Sequence, residues 1–168
     1  MTPAKKRLHI LFLFSGLAVL FATAATFVSA PASRGDEKKP SDPWTSAQIV
    51  QAGDFVHELG EKNETPPTIV YVGFRTLFAG GHIPGATFHG TASTEQGLAE
   101  LKKWADAMPR TTNVVIYCGC CPLEKCPNIR PAFAALSEMG FKRLRVLALP
   151  TSFAADWADK GYPVQKGT

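Results

Sequence analysis

Hydrophobic and polar positions divide the chain into an apolar head, a short polar stretch and an alternating series of strand-like and helix-like segments. Residues 8–28 are apolar apart from His9 and a few Ser, Thr and Gly, and residues 33–43 are polar and end in Pro, the composition of a linker. From Trp44 onward the pattern becomes periodic. Thr45 with Gln48 three residues later has the form of a capping box, and Ile49, Ala52, Val56 and Leu59 then recur on one helical face up to Gly60. Residues 68–72 read as a buried strand, and residues 80–86, with three glycines and a proline, as a rigid loop. Ser93 and Gln96 open a second helix that turns Leu98, Leu101, Trp104 and Ala105 inward and closes at Pro109. Residues 113–117 are a strand. Residues 128–139 are a helix carrying Ile129, Phe133, Leu136 and Met139, stopped by Gly140, with Pro131 in the first turn where a missing N–H costs little. Residues 144–149 form a further strand, 151–160 a short helix with Phe153 and Trp157 facing in, and 161–164 the closing segment. Strands alternating with helices predict an α/β fold over residues 44–168: one domain, a parallel sheet with helices on both faces. In such sheets the ligand site lies beyond the carboxyl ends of the strands.

Charge changes the reading of the head. Residues 1–7 hold Lys5, Lys6 and Arg7 and no acid, so basic and apolar segments together have the pattern of an export signal. Residues 1–32 are therefore read as a signal peptide, cut after 30 or, avoiding Pro31 behind the cut, after 32. The apolar run is also long enough to span a bilayer, so an N-terminal membrane anchor is the alternative. Either way the domain is expected to be exported, periplasmic or held on the periplasmic side of the inner membrane, and to meet the membrane only through this segment. No cysteine lies near the apolar run, so a lipid anchor is not indicated. Losing three of the 18 basic residues leaves 15 against 14 acidic ones, and the remaining chain is near neutral. With no basic patch interleaved with aromatics, nucleic acid is not indicated as a partner. Gly-rich phosphate-binding fingerprints and a Gly-x-Ser-x-Gly elbow are absent.

Candidate chemistry is concentrated in one place. Cys118, Cys120, Cys121 and Cys126, all the cysteines of the chain, lie within nine residues between the strand at 113–117 and the helix at 128–139. That arrangement points backbone N–H groups and the positive end of a helix dipole at the sulfurs, which favours the reactive thiolate. Disulfides are the usual use of paired cysteines in an exported chain, but bridges here close very small rings with little crosslinking entropy, and adjacent Cys120 and Cys121 bridge only with strain. Cys118-Gly119-Cys120-Cys121 contains a C-x-x-C, which fits thiol–disulfide exchange by Cys118 and Cys121. Three or four of the thiolates also suit a soft metal, Cu(I) or Zn; the spacing is not that of a standard zinc finger, and three sulfurs around Cu(I) are easier to arrange. Lys125 and Arg130 flank the loop as candidates to hold an anionic donor or lower a thiol pKa, and Arg75 is a candidate for binding substrate. His82 is read as a structural histidine bonding backbone, His89 as a candidate supporting group behind the site, and His57 as a surface residue.

Three segments, taken in order, resemble a known family. Gly81-His82-Ile83-Pro84-Gly85-Ala86 follows a strand, Val115-Ile116-Tyr117-Cys118 is a strand ending in cysteine, and residues 136–141 with Trp157 and Gly161-Tyr162-Pro163-Val164 form a closing helix and tail. Over residues 44–165 the chain is similar to the rhodanese-like domains. The resemblance implies a sulfurtransferase: Cys118 as catalytic thiolate, carrying a sulfane sulfur as a persulfide within the loop of Gly119, Cys120, Cys121, Lys125, Cys126 and Arg130. It implies a small donor such as thiosulfate, a thiol or other nucleophilic acceptor, and no required cofactor. Against the family pattern, Tyr71 and Gly73 stand where an Asp and an Arg are usual, the loop after Cys118 is longer and lacks the usual Gly-x-Arg ending, and Pro150-Thr151 replaces a glycine pair.

Overall fold

Residues 113–117 (Asn-Val-Val-Ile-Tyr) lack Gly and Pro and are rich in β-branched side chains, and they form the central strand of the molecule. The computed structural model describes residues 42–61 and 65–167. The expected signal or anchor, and nearly all of the linker, lie outside the described residues. Among the described residues no helix is long and apolar enough to cross a membrane.

Five strands make one sheet: β1 (Ile49–Gln51), β2 (Thr68–Tyr71), β3 (Thr87–Phe88), β4 (Asn113–Tyr117) and β5 (Arg143–Ala148), in the order β1-β5-β4-β2-β3 with every pairing parallel. Among the described residues five helices connect and cover them: α1 (Ala52–Gly60), α2 (Arg75–Gly80), α3 (Glu95–Asp106), α4 (Ile129–Glu138) and α5 (Phe153–Asp156). Because side chains alternate along a strand, β4 feeds two cores. Val114, Ile116 and the following Cys118 pack with Leu101, Ile129, Phe133 and Leu136 of α3 and α4 on one face. Val115 and Tyr117 pack with Phe55, Phe78 and Trp157 on the other. The predicted parallel α/β domain with both faces covered is the observed one.

Local departures have physical causes. The helix expected from Thr45 splits: the Gln48 side chain accepts from the Thr45 N–H at 3.0 Å, but this caps only a 3-10 turn at Ser46–Gln48. Ile49 and Val50 then pair with Val146 and Leu147, since two β-branched residues beside an open sheet edge gain more as strand than as helix. The second helix is capped by Thr94 rather than Ser93, its hydroxyl accepting from the Gly97 N–H at 3.0 Å. The segment expected as one helix over 151–160 is α5 followed by a separate 3-10 turn at Ala158–Lys160.

One ion pair ties α1 to the sheet. The Arg145 guanidinium on β5 grips the Glu58 carboxylate with two hydrogen bonds of 2.6 and 2.8 Å, both side chains about three-quarters buried. The hydrogen bond from Arg145 holds the Glu58 carboxyl below the ordinary glutamate value. A lowered folded-state pKa adds stability above the unfolded value and loses it as pH falls through the folded one. Glu58→Gln is therefore expected to cost about 1 kcal/mol at pH 7 in urea unfolding. The gap between variant and parent should stay constant down to about pH 4.3 and close below it.

Candidate functional site

The site starts where β4 stops. Tyr117 ends the strand and Cys118 follows it, still 2% exposed. Gly119 then turns the chain with a φ of 72°, a left-handed conformation that favours glycine, and a Cβ there would strike Phe153 at 2.6 Å. Its carbonyl accepts from the Phe153 N–H at 2.9 Å, and the Leu123 N–H donates to Leu149 at 3.2 Å, so the loop is stitched to the segment leaving β5. A 3-10 turn at Leu123–Lys125 brings Cys126 back, and Asn128 opens α4.

The result is a cluster of sulfurs. All four cysteines are free; the Cys118 and Cys120 sulfurs are 3.1 Å apart, and those of Cys120 and Cys121 3.4 Å. The sulfurs of Cys118, Cys120 and Cys126 all lie within 4.8 Å of one another. Asn128, fully buried, accepts from the Ser93 N–H at 2.9 Å through its carbonyl oxygen. That orients its NH2 towards Cys118 at 3.5 Å and Cys120 at 3.8 Å.

Charge is not shared evenly. Cys126 takes a hydrogen bond from Cys118 and further ones from the Asn128 and Ile129 N–H groups at the start of α4, and its pKa falls to about 6. The same hydrogen bond, together with burial, pushes Cys118 far up, so Cys118 holds the proton. Burial first, and then the neighbouring sulfurs, push Cys121 up to about 12. The thiolate that the sequence reading expects at Cys118 has a competitor in Cys126, whose sulfur meets the α4 backbone N–H groups.

Access runs the other way. A cavity of about 430 Å³ opens over the carboxyl end of β4, with Cys118, Gly119 and Cys120 on its floor; Cys121 and Cys126 do not line it. Tyr71 shares that floor. Its hydroxyl and the Cys118 sulfur lie 2.5 and 2.7 Å from the point a Cβ on Gly73 would occupy, so a glycine at 73 is what lets them face each other.

The flanking cations stand apart from the sulfurs. Arg130 spans from the Cys126 carbonyl at 3.4 Å to the Asp42 carboxylate at 2.6 Å and lies over the Trp44 ring, bracing the loop from behind. Lys125 is exposed on the 3-10 turn, and Arg75 stacks on Phe88, 4.3 Å from the ring centroid, lining a different hollow with Phe74 and Thr91. His82 bonds the Phe78 carbonyl at 2.8 Å and stacks on its ring, the structural role read from the sequence. His89 stacks on Trp104, and His57 is exposed beside Glu61. Asn128 and the Tyr71 hydroxyl were missed as site groups: one read as a helix start, the other as strand core.

The fold is that of the rhodanese-like domains. A rhodanese-like domain from Anabaena superposes with a TM-score of 0.52 at 22% identity, over 71% of this chain and 79% of that one. A Bacillus halodurans protein gives 0.55 at 17% identity, over 70% and 76%. A thiosulfate sulfurtransferase from Pseudomonas aeruginosa gives 0.50 at 19% identity, over 71% of this chain but 19% of that longer one. No protein-family model matches the sequence, and no curated protein does.

A single thiolate is expected to titrate near pH 6 in the reduced protein, seen as a rise in ultraviolet thiolate absorbance. Cys126→Ser should abolish that step and Cys121→Ser should leave it. A first step only at about pH 8.5, the value of an ordinary thiol, would contradict the assignment.

Proposed function

We propose that the domain is a sulfurtransferase that carries a sulfane sulfur on Cys118. The observation that carries the reading is the position of the Cys118 sulfur: on the floor of an open cavity, with an ionised Cys126 behind it and the Asn128 amide beside it. Cys118 passes its proton to the Cys126 thiolate and attacks the outer sulfur of a donor such as thiosulfate. The bond from Sγ to that sulfur forms, the donor's S–S bond breaks, and sulfite leaves with the electron pair. A thiol or other nucleophilic acceptor then attacks the outer sulfur, and Cys118 departs as a thiolate. Asn128 donates to the Cys118 sulfur, which carries negative charge before the first step and regains it in the second. No cofactor enters either step. The export reading of residues 1–32 is carried into this proposal by its charge and hydropathy pattern alone.

One observation favours a second reading. A metal about 2.3 Å from each of three thiolates holds their sulfurs about 4 Å apart; Cys118 and Cys120, at 3.1 Å, need to open by about 1 Å, and no pair of the three lies beyond 4.8 Å. Cu(I), or Zn with a fourth ligand, suits such a set. Thiol–disulfide exchange by Cys118 and Cys121 has less support, since Cys120 stands between them.

Intact mass after exposure to thiosulfate separates the readings. The parent is expected to gain one sulfur atom that reduction removes; Cys118→Ser should gain none, and Cys126→Ser should load about a hundredfold more slowly at neutral pH for want of its base. A parent that gains no sulfur but keeps a metal mass under native conditions alone would replace the first reading with the second.

A further inference from the structure

The cavity over Cys118 offers little that recognises a dianion. Its apolar walls are Leu77, Phe153, Ala154, Ala158 and Val164; Thr76 and Ser152 add neutral hydroxyls, and Lys166 is the one cation among the described residues that lines it. Leu77 and Val164 are among the few large apolar side chains left exposed among the described residues, 49% and 39%, and both face this opening. The nearby arginines point elsewhere: Arg75 stacks on Phe88 and Arg130 grips Asp42. Thiosulfate carries two charges on a small, strongly hydrated body, and stripping its water against apolar walls is costly without several donors.

The floor holds the second observation. Tyr71 is 2% exposed, yet its hydroxyl completes no hydrogen bond of good geometry, and the Phe74 N–H that acts on its oxygen leaves the hydroxyl proton without an acceptor. A buried hydroxyl left unpaired costs about 1–3 kcal/mol, so an orphan facing the reacting sulfur across Gly73 marks a place where a ligand atom completes the bond. Burial also holds the Tyr71 pKa far up, so the hydroxyl keeps its proton to donate.

We infer that this site takes an organic, singly charged sulfane-sulfur donor, its apolar body against Leu77, Phe153 and Val164 and its transferred sulfur hydrogen-bonded by the Tyr71 hydroxyl. The inference rests on Cys118 as sulfur carrier and names the donor class for that chemistry. Benzenethiosulfonate is a probe of this class. The Cys118 thiolate attacks its outer sulfur, the Cys118–sulfur bond forms, the bond between that sulfur and the sulfonyl sulfur breaks, and benzenesulfinate leaves with the electron pair. Charge and atoms balance without an oxidant. The Tyr71 hydroxyl stays on the sulfur as it becomes the terminal atom of the Cys118 persulfide, and Lys166 lies at the rim for the single charge of the departing sulfinate.

The test compares benzenethiosulfonate with thiosulfate as donors to the full chain, following sulfur loading by intact mass and dividing each rate by that of free cysteine with the same donor. The corrected kcat/KM is expected to favour benzenethiosulfonate by about tenfold or more. Leu77→Asn, a change at a half-exposed wall position, should erase most of that preference. Tyr71→Phe should slow loading by both donors about tenfold while leaving the melting temperature equal or higher, because it removes an unpaired buried hydroxyl. A corrected preference for thiosulfate overturns the inference and leaves the sulfur-carrier reading intact. Loading by Tyr71→Phe at the parental rate overturns the role of the hydroxyl. Loading by neither donor brings down the sulfur-carrier reading, and the inference with it.

Discussion

Parallel pairing of β4 between β2 and β5 is the constraint on which the rest depends. Both neighbours pair with its backbone, and both faces are packed, so the strand from Val114 to Tyr117 cannot move without opening two cores. The strand ends where its last partners end, with Tyr117 opposite Tyr71. Cys118 thus inherits the position of a core residue while being the first free of the ladder. Its sulfur is held by the sheet, and the loop that follows folds back over it.

A loop that returns four thiols to one point has a charge problem, and the helix behind it supplies the answer. Burying several thiolates together is prohibitive, but one negative charge at the start of α4 is supported by backbone N–H groups that have no intrahelical partner. Within the cluster, negative charge is therefore favoured on Cys126 and disfavoured on Cys118, the direction that the α4 amides and burial dictate. Asn128 belongs to the same device: fixed by Ser93, it turns a donor towards the two sulfurs nearest the cavity. The separation of an ionised, enclosed sulfur from a protonated, accessible one comes from where each sits relative to strand end and helix start.

Most of the scaffold was legible in the chain. Long runs with one clear period, residues 68–72, 113–117 and 128–139, were found within a residue or two, because burial on a sheet or helix face leaves a strong mark on composition. Short elements at the sheet edge were not. Ile49–Gln51 carries too few residues to show a period, and the capping pair before it pointed to a helix. In the site, cysteine spacing pointed to the loop in which the sulfurs cluster. The distribution of charge did not follow, since it depends on which thiol meets the α4 amides in three dimensions. Tyr71 and Asn128 were hidden for a similar reason: a tyrosine in a buried strand and an asparagine before a helix are ordinary residues until their polar atoms are located.

The outer wall of the cavity has a different mechanical origin from its floor. His82, stacked on Phe78, exchanges two backbone hydrogen bonds with Gln165, of 2.9 and 2.8 Å, and this isolated bridge, with the Gly167 N–H on Ala79, carries Val164 and Lys166 past the opening. The Cys118 sulfur is thus anchored in the sheet, whereas part of the rim above it is a ribbon sewn on at its edge. Sulfur and rim are held by separate parts of the chain, so substitutions can retailor the ribbon while the sulfur beneath keeps its surroundings unchanged.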